Sequence, residues 1–218
     1  MKLHSCLFAI LAASGLAHAE TIEVLSQKLN IQNPAGYCSL GKSPRERELM
    51  ALNERAVGQG ARVVHVAIRC TELAEFKKGT RDQFDHWAQI QLLGPKGEFK
   101  RIDVSREAFL SAVSKNAPRT DMAAIQERIN ASFKDLDLSI TGTQAHPVGR
   151  DGNAVYMSMR MNLMVGDTTK PISALGAVTL INSLPISALV YESSSSSFSR
   201  TRLQSTLQEL LHGLLTSN

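Results

Sequence analysis

The chain has 218 residues, a formal net charge of +4 and 43% hydrophobic residues. That length suits one domain with a complete core better than two small ones. The mild positive charge does not argue for nucleic acid: the basic stretches FKKGTR (76–81) and GEFKR (97–101) have no interleaved stacking aromatics and read as solvated edges.

The first nineteen residues read as a targeting segment. Lys2 and His4 form a short basic start, CLFAILAASGLA (6–17) an apolar core, and Ala17-His18-Ala19 the small-residue pattern of a cleavage site. Cys6 precedes the apolar run, so it does not fit a lipoprotein cysteine. The expectation is a signal peptide over 1–19 and a single α+β domain over 20–218, exported to the periplasm or secreted beyond it. Two cysteines remain after cleavage, Cys38 and Cys70. In an oxidising compartment an even pair predicts a disulfide, with two unpaired core thiols as the alternative. Such a bridge would stabilise the fold by roughly 3–4 kcal/mol in the chain-entropy model. A redox site would need C-x-x-C and a zinc site four convergent ligands, and neither pattern is present.

KLNIQ (28–32) is a short extended segment, NPAG (33–36) a turn and YCSL (37–40) a brief strand. SPRE then opens a helix, with Ser43 as N-cap, Pro44 at the first helical position and Glu46 three residues after the cap. The helix runs to GQG at 58–60. ARVVHVAIRC (61–70) predicts a strand with Val64, Val66, Ile68 and Cys70 on the core face and Val63, His65 and Arg69 on the other. After a short helix at TELAEF comes a strand, FDHWAQIQLL (84–93), with EFKRIDV (98–104) expected as its hairpin partner across GPKG. Ser105 caps one helix, carrying Phe109, Ala112 and Val113, and Thr120 a second, with Met122, Ile125, Ile129, Phe133 and Leu136 on one stripe. Four strands follow, at 138–148, 153–165, 172–181 and 184–192, and then a helix with leucines at 203, 207, 210, 211, 214 and 215. That helix requires a sheet to lie on. The serine-rich run at 193–199 is expected to be a connection whose last residue, Ser199, caps the final helix.

KPISALGAVTLINSLPISALVYE (170–192) carries no charge between its ends and is long enough to span a bilayer as a helix. Asn182-Ser183 suits a two-residue turn, however, and strands covered on both faces are expected to be nearly all apolar. The expectation is a hairpin and no transmembrane span. The fold class is therefore α+β: an antiparallel sheet flanked by helices on both sides, an α/β/α sandwich.

VYMSMRM, GAVTLINSLPISALVYE and the terminal amphipathic helix together resemble the PsbP-like α/β/α sandwich superfamily, from about Gly152 to Leu215. The resemblance also touches a Ran-binding nuclear-import factor and small bacterial envelope proteins. It implies a non-enzymatic adaptor without a shared catalytic residue, because members tend to bind proteins or assist assemblies.

MSMRM sets Met157, Met159 and Met161 on one face of a strand. Thioethers are soft ligands that select Cu(I), but Val155, Leu163 and Val165 continue the same face, so packing against the terminal helix is the expected role and no cofactor is assigned. Asp85-His86-Trp87 suggests an acid–base dyad, yet neighbours on a strand point apart. No H-x-x-x-H, H-E-x-x-H or G-x-S-x-G motif is present. The expected function is a non-enzymatic exported protein that binds or assists another envelope or secreted protein. A small-ligand or Cu(I)-binding protein, an inhibitor or immunity-type protein, and a hydrolase assembled by the fold are the competing classes. Strand alternation nominates Trp87, His65, Tyr156, Arg160 and Asn162 as the interaction surface.

Overall fold

The computed structural model describes residues 19–94, 97–116, 121–193 and 199–218. The expected leader up to residue 18, Thr120, the middle of GPKG and most of the serine run lie outside them.

Two short strands, β1 (Ala19–Val24) and β2 (Gln27–Gln32), pair as a hairpin of their own. Its turn residues, Leu25 at φ 48° and Ser26 at φ 60°, lie in the left-handed region without glycine or asparagine. β1 was not anticipated from the sequence for that reason. β3 (Tyr37–Ser39) leads into α1 (Pro44–Val57), which opens on a complete capping box between Ser43 and Glu46. A 3₁₀ turn at Gly58–Gly60 gives way to β4 (Ala61–Arg69), then α2 (Cys70–Lys78) and β5 (His86–Leu93). Cys70 begins α2 instead of ending the strand, and it is disulfide-bonded to Cys38 on β3.

The segment after β5 differs from expectation: residues 98–104 contain no strand. β5 already has two neighbours, β4 and β9, so no edge is left for a hairpin partner. α3 (Arg106–Asn116) follows, with Ser105 Oγ accepting from Ala108 N at 3.2 Å. α4 (Met122–Ser132) is capped by Asp121, whose carboxylate accepts from Ala124 N at 3.0 Å. It stops before Phe133, which leaves Leu136 off the stripe and 38% exposed. The last four strands are β6 (Leu138–Arg150), β7 (Val155–Val165), β8 (Thr168–Ile181) and β9 (Leu184–Ser193), followed by α5 (Arg200–Thr216).

β3 to β9 form one antiparallel seven-stranded sheet in the order β3-β4-β5-β9-β8-β7-β6. The long apolar run is the β8–β9 hairpin at its centre, turned by Asn182 (φ 49°) and Ser183 (φ 65°). Among the described residues no helix is long and apolar enough to cross a membrane.

Helices cover both faces. Leu203, Leu207, Leu210 and Leu214 of α5 bury against Ala88, Ile90, Ala177, Ala188 and Val190, with Leu29 and Ile31 of the β1–β2 hairpin completing the cluster. Full burial of each such leucine stabilises by about 1.5–3 kcal/mol. The helix also lies close on β2, since a Cβ at Gly213 would stand 3.0 Å from that of Gln32. On the opposite face, Leu73 and Phe76 of α2 pack with Val63, Val66 and Ile68, joined by Leu49 and Met50 of α1. A β-bulge between Val63 and His65 reverses the expected alternation: Val63 joins this cluster, and Val64 packs into the one beneath α5.

Candidate functional site

β7 lies near one edge of the sheet, and its alternation sorts the candidate residues. Tyr156 packs against the α5 cluster, so Tyr156, Ser158, Arg160 and Asn162 occupy the α5 side. Register extends that face onto β6 with Gln144 opposite Arg160 and His146 opposite Ser158. Contacts of α5 fall on β8, β9 and β2. Gln144, His146 and Arg160 are exposed, while Tyr156, Ser158 and Asn162 are half-buried. Tyr156 donates its hydroxyl to Asp151 at 2.8 Å. Burial, and then that carboxylate, pushes the phenol up to about 12. Asp151 in turn accepts from the backbone of Asn153 (2.7 Å) and Ala154 (2.9 Å), which fixes the β6–β7 turn.

The outer edge of β6 is guarded. Asn130 of α4 bonds both backbone groups of Ile140 (2.7 and 2.9 Å), and Gln126 accepts from Thr143 N at 3.1 Å. Beyond them lie two register shifts and Pro147. Bulges, proline and covering side chains are the devices that stop an edge from recruiting a foreign strand. The exposed surface of this ribbon is therefore its face.

The other two nominated surface residues sit elsewhere. Trp87 points to the α1–α2 side, half-buried and stacked on Tyr191 with ring centroids 4.8 Å apart. His65 is 4% exposed, which corrects its reading as an outward residue. It keeps the face of β4 opposite Val66 and Ile68, as its alternation puts it, but that face is covered by the β1–β2 hairpin. There Nε2 donates to Asn33 Oδ1 at 2.8 Å, and Nδ1 lies 3.3 Å from Glu20 Oε2. Burial pushes the imidazole below its usual range, with Glu20 opposing. These contacts fasten the hairpin to the main sheet.

His86 finds its carboxylate on another element. Its Nδ1 donates to Glu72 Oε1 of α2 at 2.6 Å, and the other oxygen of Glu72 accepts from the backbone of Asp85 (2.7 Å) and His86 (3.2 Å). Asp85 faces away, held by Arg81 at 3.1 Å and Lys170 at 3.2 Å. On the far side of the ring, Nε2 is buried with no hydrogen-bond partner among the described residues, 3.9 Å from Glu192 Oε1, and Glu192 itself pairs with Arg202 of α5. The cluster ties together the ends of α2, β5, β9 and α5. A general acid–base histidine needs a ring nitrogen within reach of substrate; here both nitrogens face the interior of a four-element clamp. Glu72, Glu192 and Arg202 were not nominated from the sequence, because only the folded sheet brings them to His86.

The three methionines lie on the side of β7 opposite Tyr156, away from α5, and all three are half-buried. The expected packing against the terminal helix therefore does not occur. Among the described residues no group of three or more His, Cys, Asp or Glu side chains is placed to hold a metal ion. No protein-family model matches the chain, and no curated protein matches it either.

Proposed function

We propose that this chain is an exported, non-enzymatic module of the periplasm that binds another envelope or secreted protein through the open face of β6 and β7. One observation carries the reading. α5 and the β1–β2 hairpin pack over the other strands of that side, while Gln144, His146 and Arg160 stand exposed beside Ser158 and Asn162. A polar face with a basic residue and a few hydrogen-bonding side chains suits a partner of acidic or polar surface. The guarded β6 edge directs contact to the face, and the disulfide suits an oxidising compartment. His65 and His86 are both engaged in structural clamps, which favours binding over catalysis. The resemblance to the PsbP-like superfamily points the same way by analogy.

A photo-crosslinking amino acid placed at Gln144, His146 or Arg160 tests the reading. The same partner should be captured from each of these three positions in the intact envelope, and not from Lys115 on α3. Capture from Lys115 alone, equal capture from all four positions, or none from the three face positions would refute it.

A further inference from the structure

The two ends of the Cys38–Cys70 bridge stand in unlike surroundings. Cys38 is the middle residue of β3, a three-residue strand at one edge of the sheet, paired to β4 by Tyr37↔Arg69, Cys38↔Ile68 and Ser39↔Ala67. It packs against the apolar cluster that holds Val63, Val66, Ile68 and Leu73. Cys70 is the first residue of the nine-residue α2, and Arg69 before it gives no side-chain hydrogen bond to that turn. Glu72, the acid of the same turn, directs its carboxylate to His86 and to the backbone of Asp85. Both cysteines are half-buried. β3 also supports its neighbours: Ser39 Oγ accepts from Asn33 Nδ2 at 2.9 Å, and Asn33 Oδ1 holds His65 Nε2 beneath the β1–β2 hairpin.

We propose that this disulfide is a redox-sensitive latch, opened by an exported dithiol while the rest of the domain stays folded. The exchange has a preferred direction. A thiolate of the dithiol, its proton lost to solvent, attacks Cys38 Sγ and forms a mixed disulfide there. The Cys38–Cys70 bond breaks with its electron pair on Cys70 Sγ. That sulfur leaves as a thiolate at the positive end of the α2 dipole, whereas Cys38 would leave against apolar side chains. The second thiol then displaces Cys38, whose sulfur takes its proton, and the dithiol ends as its own disulfide. Two electrons have passed from the dithiol to the bridge. β3 is then left with its short ladder to β4 and the bond from Leu40 N to Val66 O, so the support it gives Asn33 and the β1–β2 hairpin loosens. The latch is independent of the β6–β7 face, which lies at the other edge of the sheet.

Dithiothreitol and glutathione are the probes, applied to the purified protein with any free thiol alkylated beforehand. The rate of reduction by dithiothreitol should rise by less than about twofold per molar of urea, whereas opening through global unfolding would rise at least about fivefold per molar. With glutathione and a rapid alkylating quench, peptide mass spectrometry should find glutathione on Cys38 and the alkyl group on Cys70, at least about twofold over the reverse. In the reduced protein, amide NMR resonances of residues 27–42 should move while those of β8 and β9 keep their positions. A urea dependence of about fivefold per molar, glutathione shared equally or found chiefly on Cys70, a reduced protein unfolded throughout, or one unchanged over 27–42 would overturn the proposal.

Discussion

Glu46 offers the sharpest test of how the α1 corner is held. It is 3% exposed, in the first turn of α1. Its carboxylate accepts from Gly41 N at 2.9 Å and Ser43 N at 3.2 Å, and Lys77 Nζ lies 3.1 Å away. Burial alone would raise its pKa, but the hydrogen bonds from Ser43 and Gly41 and the Lys77 ammonium outweigh it and hold the group at about 2 instead of 4.5. At 1.36 kcal/mol per pH unit, that difference corresponds to about 3 kcal/mol of stability. Because the native pKa is the lower one, the unfolded chain binds the proton more readily. The contribution is therefore complete above about pH 4.5 and lost as pH falls toward 2. Glu46→Gln removes the charge and points an amide donor at one of the two backbone donors or at Lys77. The variant should lose about 2–3 kcal/mol in urea unfolding at pH 7. The gap between the two proteins should close progressively between pH 4.5 and 2. A gap that stays constant across that range, or one below about 0.5 kcal/mol at pH 7, would refute the assignment of stability to this ionised carboxylate.

Replacing both Cys38 and Cys70 by alanine releases a cross-link that spans 32 residues and ties β3 to the start of α2. Chemical unfolding should show a loss of about 3–4 kcal/mol, and a thiol reductant should destabilise the native protein but not the variant. At the β8–β9 turn, Ser183 has φ 65° and its backbone oxygen accepts from Ile102 N at 2.8 Å. Ser183→Gly removes left-handed strain while keeping that bond. It should raise stability by up to about 1 kcal/mol, read as a higher denaturation midpoint; a decrease would show that the serine side chain contributes something the turn geometry does not reveal.

Local signals were legible in the sequence because their physics is local. Ser43, Pro44 and Glu46 specify a helix start within four residues, and the terminal leucine spacing specifies which face of α5 is buried. Asn182-Ser183 settled the apolar run as a hairpin, and two cysteines in an otherwise thiol-poor domain implied their own partnership. The strand alternation of β7 likewise put Tyr156, Arg160 and Asn162 on one side and the methionines on the other. Which side faces α5 was a different matter, set by the sheet order and not by the strand itself. The same holds for β5: its apolar pattern suits any neighbour, and only the return of β9 from a hundred residues later excluded a hairpin with 98–104. The bulge between Val63 and His65 moved Val63 to the α1–α2 side and leaves no trace in a hydrophobic pattern, while His65 kept its expected face and became interior because the unanticipated β1–β2 hairpin covers it. His86 was visible as a histidine next to a carboxylate, but the carboxylates that matter, Glu72 and Glu192, come from elements that meet only when the sheet closes. Periodicity and caps are interactions between residues a few positions apart, whereas partners across a sheet are chosen by burying the whole apolar surface at once.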